Sequence, residues 1–107
     1  MQIESLTEIE KLKAQEESFY IYFSSPKCGV CQILKPKLLS FMKDNYPKIQ
    51  AYRVDTALNP DIAAQLGFYT NPSVIIYLNG HEYLRRSRSI SLLELDENLA
   101  RPYKLMC

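Results

Sequence analysis

Two hydrophobic periods alternate along this chain. Phe19-Tyr20-Ile21-Tyr22-Phe23 is an unbroken aromatic and β-branched run. Such a run, spanning Ser18 to Phe23, predicts a strand covered on both faces. Ile49 to Val54 and Ser73 to Leu78 read as further strands. Asn79-Gly80 is a tight-turn dipeptide, and His81 to Arg86 is the returning strand of a hairpin. Elsewhere the spacing changes to three and four. Leu6, Ile9 and Leu12 predict a helix to about Glu16, and both Ser5-Leu6-Thr7-Glu8 and Thr7-Glu8-Ile9-Glu10 have capping-box form. From Gly29, the positions Ile33, Leu34, Leu38, Phe41 and Met42 trace one helical face. Pro36 within it predicts a kink, and Tyr46-Pro47 ends it. Asn59-Pro60 starts a third helix and Gly67 closes it. Ser91-Leu92-Leu93-Glu94 opens a last one along Leu92, Leu95 and Leu99, with Pro102 expected to stop it. With Gln2-Ile3-Glu4 as a very short edge strand, the order is β-α-β-α-β-α-β-β-α. It predicts an α/β fold, a mixed sheet with helices on both faces.

Composition narrows this picture. A chain of 107 residues, 47% hydrophobic and 23% charged, fits one domain over 1–107 with a packed core. A net charge of +1 gives no general attraction to nucleic acid or to a membrane surface. Three cysteines cannot all pair within one chain, which speaks against a disulfide-stapled secreted scaffold. Residues 1–17 carry several glutamates and no apolar stretch of signal-peptide length, and no run approaches the span of a membrane helix. The expectation is a cytoplasmic monomer whose thiols rest reduced.

The chemistry concentrates where the first long strand runs through a polar turn into Cys28-Gly29-Val30-Cys31. At this spacing the first sulfur can cap the helix and the second lies one turn inside, close enough for one disulfide. Unpaired N–H groups and the dipole at a helix start stabilise a thiolate by about 0.3–1 kcal/mol. Lys27 adds a cation beside Cys28, so the expected species is a nucleophilic thiolate. A metal-binding C-x-x-C is the alternative. Zinc usually takes four ligands, and only His81 and Cys107 remain as soft donors. His81 reads as solvated and Cys107 as a surface thiol, with pairing between chains as its other reading. Arg85, Arg86 and Arg88 form a basic stripe that reads as a charged strand edge, with an acidic partner as the weaker alternative. Three glycines and one histidine leave little material for phosphate loops or nucleophile–histidine pairs.

Taken together, Cys28 and Cys31, Pro36 in the following helix, Asn71-Pro72-Ser73 before a strand and Asn79-Gly80 in the hairpin make the chain resemble the thioredoxin family over nearly its whole length. The resemblance implies a central mixed sheet of four to five strands flanked by four helices. It implies that Cys28 is the exposed nucleophile and Cys31 the buried resolving cysteine, that Pro72 is a cis-proline facing them, and that the backbone of Asn71 pairs with a bound substrate strand. Lys27, Gly29 and Val30 fall on the implied substrate surface. The implied activity is reduction of disulfides in partner proteins, with a disulfide reductase as electron donor and no cofactor beyond the redox-active Cys28–Cys31 pair. Several positions depart from the family pattern. Tyr22 stands where a buried Asp assists the resolving cysteine, Arg53 replaces a lysine near it, and Lys27 replaces a Trp. Val30 replaces a Pro and Arg88 a Gly. Tyr22 and Arg53 supply no carboxylate base, so they are modulating positions at most. The alternative that the resemblance permits is a thioredoxin-fold interaction module with no redox activity.

Overall fold

The computed structural model describes residues 2–105, so Cys107 lies outside the described residues. The elements are α1 (Leu6–Ala14), β1 (Phe19–Ser24), α2 (Gly29–Asn45), β2 (Gln50–Asp55), α3 (Pro60–Gln65), β3 (Ser73–Leu78), β4 (His81–Ser87) and α4 (Leu92–Leu105). Among the described residues the strands form one sheet in the order β2-β1-β3-β4. β1 runs parallel to β2 and antiparallel to β3, and β3 is antiparallel to β4. No helix among the described residues is long and apolar enough to cross a membrane.

The unbroken apolar run of β1 is explained by two cores, one on each face of the sheet. Phe19, Ile21 and Phe23 point to one side and pack with Ile75, with Ile9 of α1 and with Ile62 of α3. Tyr20 and Tyr22 point to the other and pack with Val74 and Ile76, with Leu38 and Met42 of α2 and with Leu95 and Leu99 of α4. Each such side chain contributes about 1.5–3 kcal/mol relative to exposure. β1 is therefore the most deeply held element, and its C-terminal end points at the cysteines.

Local chemistry sets the boundaries. Of the two possible caps of α1, Ser5 is used: Glu8 reaches back and its Oε2 accepts the N–H groups of Ser5 (3.2 Å) and Glu4 (2.7 Å). The Ser91 hydroxyl accepts the Glu94 N–H at 3.2 Å and opens α4. In the hairpin both Asn79 (φ 52°) and Gly80 (φ 85°) are left-handed, the pairing a two-residue turn of this hand requires. Gly80 is also needed for space, since a Cβ there would lie 2.5 Å from the Lys13 carbonyl oxygen.

Three expectations need correction. The leading edge strand reduces to one parallel bridge, Gln2 with Arg53, supported by the Ile3 N–H donating to the Arg53 carbonyl at 2.8 Å. Pro102 does not stop α4, which continues to Leu105. Proline removes the N–H that would reach the carbonyl four residues back, here Asn98, and the Tyr83 hydroxyl donates to that carbonyl at 2.7 Å instead. Ile33 does not share the buried face of α2. That face carries Cys31, Leu38 and Met42, whereas Ile33 is 64% exposed. At 3.6 residues per turn, Ile33 lies about 100° around the helix from Leu34, which the seam does cover in part.

Candidate active site

The site forms where β1 ends and α2 begins. The Ser25 carbonyl closes the connecting turn by accepting the Cys28 N–H (3.1 Å) and the Gln32 Nε2 amide (3.1 Å). Cys28 is the N-cap of α2, and its Sγ accepts the N–H of Cys31 at 3.2 Å. An N–H donor aimed at this sulfur stabilises negative charge on it, as does the positive end of the helix. Cys31, one turn in, is fully buried, while Cys28 is half-buried. The two are disulfide-bonded with Cα atoms 5.2 Å apart, within the usual range for such a bridge. The pair thus joins one partly exposed cysteine to one fully buried cysteine.

A second segment reaches the site from β3. The Asn71–Pro72 peptide is cis, and Pro72 is buried. Ser73 holds this loop from below: its hydroxyl donates to the Thr70 carbonyl at 2.6 Å and lies 3.0 Å from the Ser87 hydroxyl of β4. From the side, the Asn71 amide donates to Thr56 Oγ1 at 2.9 Å. The Pro72 carbonyl accepts the N–H of Arg88 at 2.8 Å, so the residue after β4 is tied to the same loop. Pairing of Phe23 with Ser73 across β1 and β3 brings the two segments side by side.

Residues 5–100 match the sequence profile of the family described as Thioredoxin. The chain belongs to the thioredoxin family. Among its relatives, the thioredoxin-like protein YdfQ of Bacillus subtilis is 29% identical over 103 residues, covering 96% of this chain and 91% of that protein. Mitochondrial thioredoxin 3 of Saccharomyces cerevisiae, in its oxidized form, superposes with a TM-score of 0.81 at 22% identity over 94% of this chain and 93% of its own. Thioredoxin 1 of Thermosipho africanus gives 0.71 at 30% identity over 80% and 94%. The α/β thioredoxin fold is thereby established, and the family together with the paired cysteines supports thiol–disulfide oxidoreductase chemistry.

The remaining positions singled out in the sequence are distributed unevenly around this thioredoxin-family pair. Lys27 and Gly29 are exposed, and Val30 is 61% exposed between the two cysteines. A Cβ on Gly29 would meet nothing within 4 Å, so no crowding there requires glycine. Tyr22 is 1% exposed, and its hydroxyl donates to the Cys31 carbonyl at 3.0 Å. Burial pushes this phenol up to about 12, so it is a neutral donor at physiological pH and no base. Arg53 pairs with Tyr22 in the β1–β2 register but is exposed. It lines a cavity of about 170 Å³ with Tyr22 and Lys35, and among the described residues no hydrogen bond joins it to Cys31. Among the described residues no three or more His, Cys, Asp or Glu side chains are grouped to hold a metal ion. His81 is exposed at the start of β4.

Sequence reasoning missed two features here. Arg88 is left-handed (φ 67°) although it is not glycine. Its neighbours in the basic stripe are committed elsewhere. Arg85 binds Glu82 through Nε (2.8 Å) and Nη2 (2.9 Å), donates to the Leu66 carbonyl and lies 4.8 Å from the Phe68 ring centre. Arg86 bonds Glu94. The second is the exposure of Ile33 directly after the motif. Neither was legible locally: the φ of Arg88 follows from its N–H bond to the Pro72 carbonyl, and the exposure of Ile33 follows from the seam that Leu38 and Met42 fix.

Proposed function

We propose that this protein reduces disulfides in partner proteins by dithiol exchange through Cys28 and Cys31. The observation that carries the reading is Cys28 Sγ, of a half-buried residue at the cap of α2, hydrogen-bonded by Cys31 N–H and bonded to the sulfur of a fully buried cysteine. In the first step the Cys28 thiolate attacks one sulfur of the partner's disulfide. A Cys28–partner disulfide forms, the partner's S–S bond breaks, and its other sulfur leaves as a thiolate that takes up a proton. In the second, Cys31, having lost its proton, attacks Cys28 Sγ. The Cys28–Cys31 bond forms and the partner's remaining sulfur leaves as a thiol. Two electrons have passed from this protein to its partner, and a disulfide reductase or small dithiol must return them.

Within this scheme Tyr22 positions Cys31 by holding its carbonyl. The cis-Pro72 loop offers the Asn71 backbone to an extended substrate segment, and Lys27, Gly29 and Val30 form the contact surface beside the nucleophile. Arg53 adds positive potential near Tyr22 without touching sulfur. A reducing compartment such as the cytoplasm suits this direction of transfer.

The test uses the full chain in insulin-reduction turbidity with dithiothreitol as reductant. Cys28→Ser should abolish the catalysed rate. Cys31→Ser should accumulate a mixed disulfide that the unmodified protein resolves. Retained activity in Cys28→Ser would falsify the assignment of the nucleophile. A pair that resists both oxidants and dithiols in the native protein would leave a redox-inactive interaction module as the reading.

A further inference from the structure

A groove of about 430 Å³ opens between the first turns of α2 and the segment joining β4 to α4. Val30, Ile33, Leu34 and Ile90 supply apolar lining, and Lys37 and Arg88 supply cations. Val30 and Ile33, 61% and 64% exposed, leave substantial apolar surface open beside the buried second sulfur. The groove has no acidic lining residue. Among the described residues, neither Lys37 nor Arg88 has a carboxylate partner, whereas Arg85 and Arg86 are matched to Glu82 and Glu94. Arg88 is also fixed in place. Its N–H is bonded to the Pro72 carbonyl and its backbone is held at φ 67°, a conformation unfavourable for a side-chain-bearing residue. Such a position places a long cation at the rim of the groove, tied to the loop that flanks the cysteines.

We infer that Arg88 and Lys37 select partner disulfides whose flanking segment carries an apolar residue followed by Asp or Glu. The inference rests on the dithiol reading above and names the class of partner that the site prefers. The apolar residue covers Val30, Ile33 and Ile90, and the carboxylate meets two cations that lack an internal counter-charge. Opposite charges of this kind chiefly raise encounter rate and fix register, and their effect is screened by salt.

The experiment compares two cystine-bridged peptides, identical except for Glu or Gln two residues beyond a leucine that flanks the disulfide. 2-Hydroxyethyl disulfide serves as an uncharged reference substrate. The unmodified protein at about 0.01 M salt should favour the Glu peptide in kcat/KM by about fivefold, equivalent to about 1 kcal/mol at 1.4 kcal/mol per tenfold. The ratio should approach one at about 1 M salt, where the Debye length falls from roughly 30 Å to roughly 3 Å. It should drop below about twofold in Arg88→Gly and in Lys37→Gln, and persist in Arg88→Lys. Because the readout is a ratio within one preparation, a partly unfolded variant does not distort it. A ratio of one in the unmodified protein that still reduces the reference substrate overturns the docking inference alone. A ratio unchanged in both charge-removing variants overturns it too. Failure to reduce insulin, both peptides and 2-hydroxyethyl disulfide alike instead overturns the dithiol reading, and this inference with it.

Discussion

Replacing Tyr22 by Phe removes one oxygen from the interior and nothing else. The phenol is 1% exposed and its hydroxyl donates at 3.0 Å to the carbonyl of Cys31. A buried neutral hydrogen bond contributes about 0.5–1.5 kcal/mol net, and a carbonyl left short of a donor costs about 1–3 kcal/mol. Ring packing against Leu38 and Met42 is retained, so the expected loss is about 1–2 kcal/mol. For a chain of this size that corresponds to roughly 4–8 °C in Tm. Urea unfolding of both oxidised and reduced protein measures it. The same bond orients the turn bearing the buried sulfur. Resolution of a trapped Cys28 mixed disulfide, followed by quenched-flow mass spectrometry, should therefore slow about threefold to tenfold if about 1 kcal/mol of positioning is lost. A variant within 0.3 kcal/mol of the parent that resolves at the parent rate would refute the positioning role of Tyr22.

Gly80→Ala should cost about 2–4 kcal/mol in the same unfolding assay, because the added methyl meets Lys13 backbone at 2.5 Å while φ stays at 85°; a loss under 0.5 kcal/mol would mean the hairpin shifts freely. Tyr83→Phe should cost about 1 kcal/mol by stripping the Asn98 carbonyl of its donor, and less in a Pro102→Ala background, where the main chain supplies an N–H again; a double-mutant cycle without coupling would contradict this account of α4. Alkaline pH should destabilise the protein. Burial raises Tyr20 and Tyr22 to about 12 against an unfolded value near 10, so their contribution is complete below pH 10 and is lost as pH climbs toward 12. Each adds up to about 1.4 kcal/mol of slope per pH unit within that window. Unfolding free energies measured from pH 9 to 12 should show the decline, shallower in Tyr22→Phe, and a flat profile would argue against it.

The readable parts of this sequence were those where local chemistry and tertiary setting agree. Phe19 to Phe23 announces a strand covered on both sides because both of its faces do find helices. Asn79-Gly80 announces its turn because both residues must be left-handed. Cys28 to Cys31 sits at a helix start because the capping sulfur and the one-turn spacing are local properties. Where distant partners decide, the pattern misled. Pro102 looks like a terminator until Tyr83, far away in sequence, takes over the orphaned carbonyl. Ile33 looks like core until the α2 seam is fixed by Leu38 and Met42. Gln2-Ile3-Glu4 has strand-like composition but too few residues for more than one bridge to Arg53. In the site, the cysteines could be located from their spacing and the X-Pro loop from the resemblance to the family. The left-handed Arg88 could not, because nothing nearby in sequence says that its N–H belongs to Pro72.

The facing of Phe23 and Ser73 makes the two jaws of the site teeth on adjoining racks. A slip of one notch would carry Pro72 about 3.4 Å along the rack and turn Val74 and Ile76 out of the core that receives them. Because helices cover both faces, such a slip would trade the side chains of one core for those of the other, so a single register decides both the fit of the cores and the meeting of the two jaws.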